Sequence, residues 1–242
     1  MSIRNPTVMT YQCQQEPTGC GSVERARRWR RGRGWITLGR VRGSFMPIRV
    51  VGGFHRGRTL RAPRGEDTRP TSDRTREAIF NMLGLLPPHC RALDLCAGSG
   101  AMGIEALSRG AGWVDLVDRA APACAAIRGN LEALGLTDRS AVHRADAAAW
   151  LLASAPIAPY DLVFADPPYG SDVLAAIAEA LGVRADRIAP GGRVVFEADG
   201  EDMPVPPLNI YHCLRARRYG RAHVAIFERV ASEPQADTRG TA

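Results

Sequence analysis

The chain has 242 residues and a mass of 26.2 kDa, with 45% hydrophobic and 24% charged residues; that balance excludes wholesale disorder and fibrous repeats, and leaves one large domain or one domain with an appendage. No apolar run approaches the roughly 18 residues of a membrane-spanning helix, and the six scattered cysteines (Cys13, Cys20, Cys90, Cys96, Cys124, Cys213), with no C-x-x-C pair, read as free thiols in a reducing cytosol and not as disulfides or a metal site. The net charge is +7, and all 32 basic residues are arginine.

That charge is segregated. Residues 1–45 hold nine Arg and two acids, 46–91 nine and four, 92–214 eight and sixteen, and 215–242 six and three. An acidic middle between arginine-rich ends suggests a small-molecule domain with edges that grip a polyanion. A biased genome would explain the missing lysine but not the segregation.

Residues 1–45 lack hydrophobic periodicity, include the run Arg25-Ala26-Arg27-Arg28-Trp29-Arg30-Arg31, and stop just before Met46. Three readings compete: an upstream start codon with Met46 as the true beginning, a disordered RNA-binding tail, and a targeting peptide. Residues 46–91 form an N-terminal extension. Pro47–Gly52 and Arg58–Ala62 read as a β-hairpin around Gly52-Gly53-Phe54-His55-Arg56-Gly57. Thr71-Ser72-Asp73 offers caps for a helix over 74–83, with Ile79, Phe80, Met82 and Leu83 as its apolar face and Pro87-Pro88 beyond its end.

From residue 92 strand and helix alternate. Strands are expected at Ala92–Cys96, Trp113–Asp118, Ser140–His143, Asp161–Ala165 and Arg193–Ala198, with helices at Ala101–Arg109, Ala120–Leu134, Ala147–Ala153 and Val173–Leu181. A hairpin of Tyr211–Ala216 and His223–Phe227, turning near Tyr219-Gly220, closes the sheet. The fold class is α/β, a doubly wound, seven-stranded Rossmann-like sheet over residues 92–230, whose ligands belong at the carboxyl ends of the strands. Residues 231–242 read as a disordered tail.

Where the first strand turns into the first helix, Leu93-Asp94-Leu95-Cys96-Ala97-Gly98-Ser99-Gly100-Ala101-Met102-Gly103 carries a dinucleotide-type glycine turn. Gly98 permits the turn, Gly100 lets a ligand approach backbone, and Ser99 lies between them. Asp118, 20 residues after Gly98, ends the next strand, where an acid accepts from ribose hydroxyls. These features alone fit a nicotinamide enzyme and an S-adenosylmethionine enzyme equally. Asp94 favours the second, because a carboxylate there could receive the cofactor's ammonium group, whereas NAD has no such cation to offset its burial; a loop hydrogen bond is the plainer alternative. Asp146 is placed either to accept from an adenine amine or to cap a helix.

Asp166-Pro167-Pro168-Tyr169 ends the fourth strand as a rigid acidic-aromatic loop. The Asp166 carboxylate and the Pro167 carbonyl suit an exocyclic NH₂, Pro168 stiffens the turn, and Tyr169 offers a face for stacking a base. Accepting from both N–H groups of an aromatic amine favours a pyramidal nitrogen whose lone pair can attack a sulfonium methyl in line, with no metal needed. The base must be unpaired or flipped to arrive.

Taken with Arg49–Gly53, the segment Thr68-Arg69-Pro70-Thr71-Ser72-Asp73-Arg74-Thr75-Arg76-Glu77-Ala78-Ile79-Phe80-Asn81, the stretch Glu105–Ala111 and Arg217-Arg218-Tyr219-Gly220, these motifs resemble the bacterial family that methylates the N2 amine of one guanine in small-subunit ribosomal RNA. The resemblance spans residues 46–230. It departs at Asp118, where the family commonly has Glu, and at Ala120, where it commonly has Asp. It implies S-adenosylmethionine as cofactor, small-subunit ribosomal RNA or the assembling 30S particle as partner, and a cytoplasmic enzyme, with a monomer as the default. It also implies that Arg56, Arg58, Arg61, Arg69, Arg74 and Arg76 line the RNA side of the cleft. His55, Trp113 and Trp150 read as loop and packing residues. An adenine-N6 methyltransferase acting on DNA or RNA is the alternative within the same chemistry, and a non-catalytic ribosome-assembly factor is the alternative outside it.

Overall fold

The structure, a computed structural model, describes residues 48–63, 72–153, 158–168, 172–199 and 203–230, all within one compact unit. The leader 1–45, the tail 231–242, Arg69 and Tyr169 lie outside the described residues.

A short antiparallel hairpin comes first, β1 (Ile48–Arg49) against β2 (Thr59–Leu60). Helix α1 (Asp73–Leu83) starts where the Ser72 hydroxyl accepts from Thr75 N (3.0 Å) and stops at Gly84, whose φ of 71° no longer continues a helix. Then follow β3 (Arg91–Leu95), α2 (Ala101–Ser108), β4 (Trp113–Asp118), α3 (Ala121–Leu134), β5 (Ser140–Arg144), α4 (Ala147–Leu152), β6 (Tyr160–Ala165), α5 (Val173–Val183), β7 (Ile188–Asp199), β8 (Tyr211–Tyr219) and β9 (Ala222–Arg229). Helix α3 lacks a side-chain cap at Ala120, so its start rests on a proline in the first turn; left-handed Gly135 ends it.

Seven strands form one sheet in the order β5-β4-β3-β6-β7-β9-β8. The first five are parallel; β9 runs antiparallel to β7, and β8 antiparallel to β9. On one face, β1, β2, α1, α2 and α3 bury Leu60, Ile79, Phe80, Ile104 and Ile127 against Leu116, Phe164 and Ile226. On the other, α4 and α5 bury Leu151, Ile177 and Leu181 against Leu93, Val163 and Phe196. This is the expected doubly wound sandwich, and the N-terminal extension shares the core of the first face.

Most element ends fall within two residues of expectation. β1 stops at Arg49, three residues short of Gly52, and two other strands outrun their sequence signals. β7 begins at Ile188, well before Arg193, and carries Pro190 and left-handed Gly191 where its register against β6 shifts; such residues normally punctuate a strand. β8 continues through Arg217 and Arg218, because both are exposed and an edge strand admits charges on either face. Among the described residues, no helix is long and apolar enough to cross a membrane.

Candidate active site

The carboxyl edge of the sheet begins at the turn after β3. Cys96, Gly98 and Gly100 all have positive φ (61°, 56° and 78°), which reverses the chain into α2 within a few residues. The turn is held from three sides. Ala97 N donates to Val117 O (3.0 Å), Gly98 N donates to Asp118 Oδ2 (2.9 Å), and Gly103 N donates to Asp94 Oδ2 (2.8 Å). A Cβ on Gly98 would meet nothing within 4 Å, so the turn faces open space there. A Cβ on Gly103 would lie 2.9 Å from Leu116, which shows why α2 packs so closely on the sheet. Ser99 is fixed through its carbonyl, which accepts from Asn130 Nδ2 (2.9 Å).

Asp118 thus builds the turn as well as ending β4, because its second oxygen accepts from Ala120 N (2.8 Å). This bond fixes Ala120 at the start of α3 but leaves the helix without a side-chain cap. Asp146 caps α4, accepting from Ala149 N (3.0 Å), which is the plainer of its two expected roles. Asp94 likewise makes the loop hydrogen bond. Each of these carboxylates keeps further acceptor capacity toward the edge.

Strand register lines the acids up. Leu95 pairs with Val117 and with Ala165, so the positions following them, Cys96, Asp118 and Asp166, stand side by side; Asp118 itself pairs with Arg144, two residues before Asp146. Burial raises the Asp94 carboxyl to about 7, opposed by the Gly103 hydrogen bond and helped by the charges of Asp166 and Asp118. Such an edge favours a cation. Burial and the four surrounding carboxylates also push the Cys96 thiol up to about 12. Cys96 is therefore no thiolate nucleophile at neutral pH, although it adjoins Asp166. At the end of β6, Asp166 is half-buried, Pro167 is buried and Pro168 is exposed.

The predicted arginines do not share one surface. The loop with Arg56 is tied to Ser108, whose carbonyl accepts from Phe54 N (2.8 Å) and whose Oγ accepts from His55 N (2.9 Å). Ser108 ends α2, a helix that leads away from the glycine turn for about 12 Å. Arg56 and Arg58 are exposed at this far end, with Arg58 Nη2 donating to Ala133 O at the end of α3 (3.3 Å). The expectation that they line the cleft is corrected: the anchoring of the hairpin loop carries them to the opposite edge of the sheet. Arg61 is held beside the glycine turn by backbone bonds to Asn130, and Arg74 is exposed on α1.

Arg76 is a second correction. Its relative exposure is 0%, and Nη2 donates to Arg49 O (2.6 Å) and Asp73 Oδ1 (2.7 Å). Burial lowers its pKa, opposed by Asp73, Glu105 and Glu197. A guanidinium enclosed between α1 and β1 cannot reach a phosphate.

Sequence reasoning missed three residues. Asn130 joins Arg61 N, Arg61 O and the Ser99 carbonyl with one amide, and so links β2 to the glycine turn. Glu105, fully buried, accepts from Val51 N (2.8 Å) and Arg109 Nε (2.6 Å). Asp115 collects Trp113 Nε1 (3.0 Å), Tyr160 Oη (3.0 Å) and His143 Nε2 (2.8 Å). Their common signal is a polar residue inside an apolar strand or helix pattern. His55 and the two tryptophans are loop and packing residues as expected, with the Trp150 ring 4.0 Å from that of His143. Among the described residues, no group of three or more His, Cys, Asp or Glu is placed to hold a metal ion.

A sheet of this order, with a glycine turn after β3, an acid ending β4 and an Asp-Pro-Pro corner ending β6, defines a class I methyltransferase dependent on S-adenosylmethionine. Residues 48–228 match the family described as "Conserved hypothetical protein 95". The chain is 38% identical over 183 residues to the Bacillus subtilis protein named "Putative rRNA methyltransferase YlbH" (75% of this chain, 99% of that one). It is 32% identical over 194 residues to ribosomal RNA small subunit methyltransferase D of Escherichia coli (78% and 94%). A solved structure titled "Putative methyltransferase yhhF from Escherichia coli" superposes with a TM-score of 0.67 at 30% identity, covering 77% of this chain and all of that one. The chain belongs to this family.

Proposed function

We propose that this enzyme transfers a methyl group from S-adenosylmethionine to the exocyclic N2 amine of a guanine in small-subunit ribosomal RNA, free or within the assembling 30S particle. The observation that carries the reading is the register that sets Asp166, at the end of β6, beside the glycine turn that ends β3. The names of the relatives, ribosomal RNA methyltransferases among them, support the substrate class.

The residues present fit the cofactor. Gly98 leaves open space, Asp118 ends β4 where ribose hydroxyls need acceptors, and the acidic edge at Asp94 suits an ammonium group and a sulfonium. When bound, S-adenosylmethionine supplies an electrophilic methyl group. The chain's own part is placement. The Asp166 carboxylate and the Pro167 carbonyl accept from the two N–H groups of the amine, which localises the nitrogen lone pair; the carboxylate is the group placed to take the proton the nitrogen gives up on methylation, and Tyr169 stacks on the base. Proximity and fixed acceptors supply the rate, and the guanine arrives unpaired or flipped. We place the enzyme in the cytoplasm, where its RNA is made, and read it as a monomer: the arginines on edge strand β8 oppose strand pairing with a second copy.

The test combines two measurements. S-adenosylhomocysteine at 100 times its dissociation constant should stabilise the protein by about 2.7 kcal/mol, whereas NAD should not. Asp166→Ala should keep that stabilisation while losing about 10²–10³ in methyl transfer. Stabilisation by NAD, or normal turnover in the variant, would overturn the assignment.

A further inference from the structure

The hairpin of β8 and β9 carries five arginines between residues 211 and 229 against one acid, Glu228. Its turn lies at the catalytic edge. Ala165 pairs with Phe196, and the same β7 continues to Asp199, which faces Ala222 at the start of β9; Ala222 in turn faces Tyr219 at the end of β8. The turn therefore stands three residues, about 10 Å, beyond the step at which β6 ends before Asp166.

Cross-strand pairs share a face of the sheet. Arg215 faces Ile226 and Arg217 faces Val224, and both partners belong to the core on the α1 side. Arg215, Arg217 and Tyr219 thus form one row on that side. At its end the Tyr219 hydroxyl donates to Met82 Sδ on α1 (3.8 Å). Both arginines are exposed. Among the described residues the Arg215 side chain makes no hydrogen bond or ion pair, and Arg217 Nη1 donates to the adjacent Ala216 carbonyl (3.0 Å). Nearby acids have other partners: Glu228 lies 3.5 Å from Arg193 and 3.9 Å from His212, and Asp199 pairs with Arg221.

Charges on an edge strand also guard against aggregation. That purpose would be served anywhere along β8. Instead its first half, Tyr211-His212-Cys213-Leu214, has no arginine and leaves Leu214 39% exposed at the bulge, while Arg215, Arg217 and Arg218 crowd the half nearer the catalytic edge.

We propose that β8 is a phosphate-binding rail for the RNA, with Arg215 and Arg217 holding successive phosphates of the strand whose target base enters the Asp166 corner. Two residues along a strand span about 6.7 Å, a step suited to neighbouring phosphates of one chain. The inference rests on the RNA methyltransferase reading above, and draws on residues outside the N-terminal extension.

The test is binding of unmethylated small-subunit ribosomal RNA transcript across a salt series, using the full chain and the double variant Arg215→Gln/Arg217→Gln. A charge-matched control, Arg128→Gln/Arg139→Gln, alters the opposite end of the sheet beside β5. The β8 variant should bind about tenfold more weakly at 0.1 M salt and lower the slope of log K against log salt by about 1.4–1.8. Its response to S-adenosylhomocysteine and its melting temperature should stay unchanged, and the control should lose less than half as much slope. Equal losses in the two variants, or none in the β8 variant while the wild type methylates RNA, would overturn the rail alone. A wild type that neither binds nor methylates the RNA, as transcript or in assembling 30S particles, would overturn the functional reading together with it.

Discussion

Replacing Arg76 by alanine separates the structural account of this arginine from the RNA-binding one. The side chain is fully enclosed and its Nη2 serves Arg49 O and Asp73 Oδ1 at 2.6 and 2.7 Å. Orphaning a buried charge costs about 3–5 kcal/mol, but the Asp73 side chain is 40% exposed and regains water, which trims that figure. The carbonyl of Arg49 loses a charged donor, worth about 1.5–3 kcal/mol, and the emptied volume adds to it. The expected loss is about 3 kcal/mol, or about 6–12 °C in melting temperature for a unit of this size. Thermal melting reads it directly. RNA affinity and its salt dependence, measured well below the melting point, should match the wild type. An unchanged melting temperature with weakened, less salt-sensitive RNA binding would refute the reasoning and return Arg76 to the RNA surface.

Asp118→Ala removes the acceptor of Gly98 N and the proposed ribose acceptor together, so cofactor affinity should fall at least tenfold by calorimetry; an unchanged Kd would refute the role. Gly103→Ala drives a methyl group to within 3.0 Å of Leu116 and Val114, an overpacking cost of about 1–3 kcal/mol that thermal melting detects. Because Asp94 is raised to about 7 from its ordinary 3.8, the folded chain holds a proton between those values that the unfolded chain has released. This group's contribution to stability is therefore full below about pH 4 and is lost as pH rises to about 7. Binding of a cationic cofactor runs the other way, since it favours the ionised carboxylate. S-adenosylmethionine affinity should weaken as pH drops from 8 to 6 and lose that dependence in Asp94→Asn; a persisting dependence would point to another group.

The sheet was legible because burial on both faces leaves β3, β4 and β6 as nearly continuous apolar runs, with helix patterns between them. The glycine turn was legible because few residues besides glycine take the positive φ found at 98 and 100. Arg76 was legible in part: it stands three residues before Ile79, four before Phe80 and seven before Leu83, on the apolar stripe of α1. A charge on that stripe reads as a surface residue until its partners, Arg49 O and Asp73, are known. The position of Arg56 and Arg58 was not legible at all. It depends on Ser108 and Glu105, which hold the hairpin loop from more than 50 residues away, and no local pattern encodes such a contact. Asp94 and Asp146 illustrate a further limit. One carboxylate can support a loop and still accept from a ligand, so spacing alone could not choose between the two uses.

The central claim is tested most directly by the product. The full chain is incubated with S-adenosylmethionine carrying a labelled methyl group and with unmethylated small-subunit ribosomal RNA, both free and in assembling 30S particles, and the RNA is then digested to nucleosides and separated. The account predicts label in N2-methylguanosine at about one methyl per RNA, absent with Asp166→Ala. Label in N6-methyladenosine, or RNA left unlabelled both free and in the particles by an enzyme that binds S-adenosylhomocysteine, would contradict it.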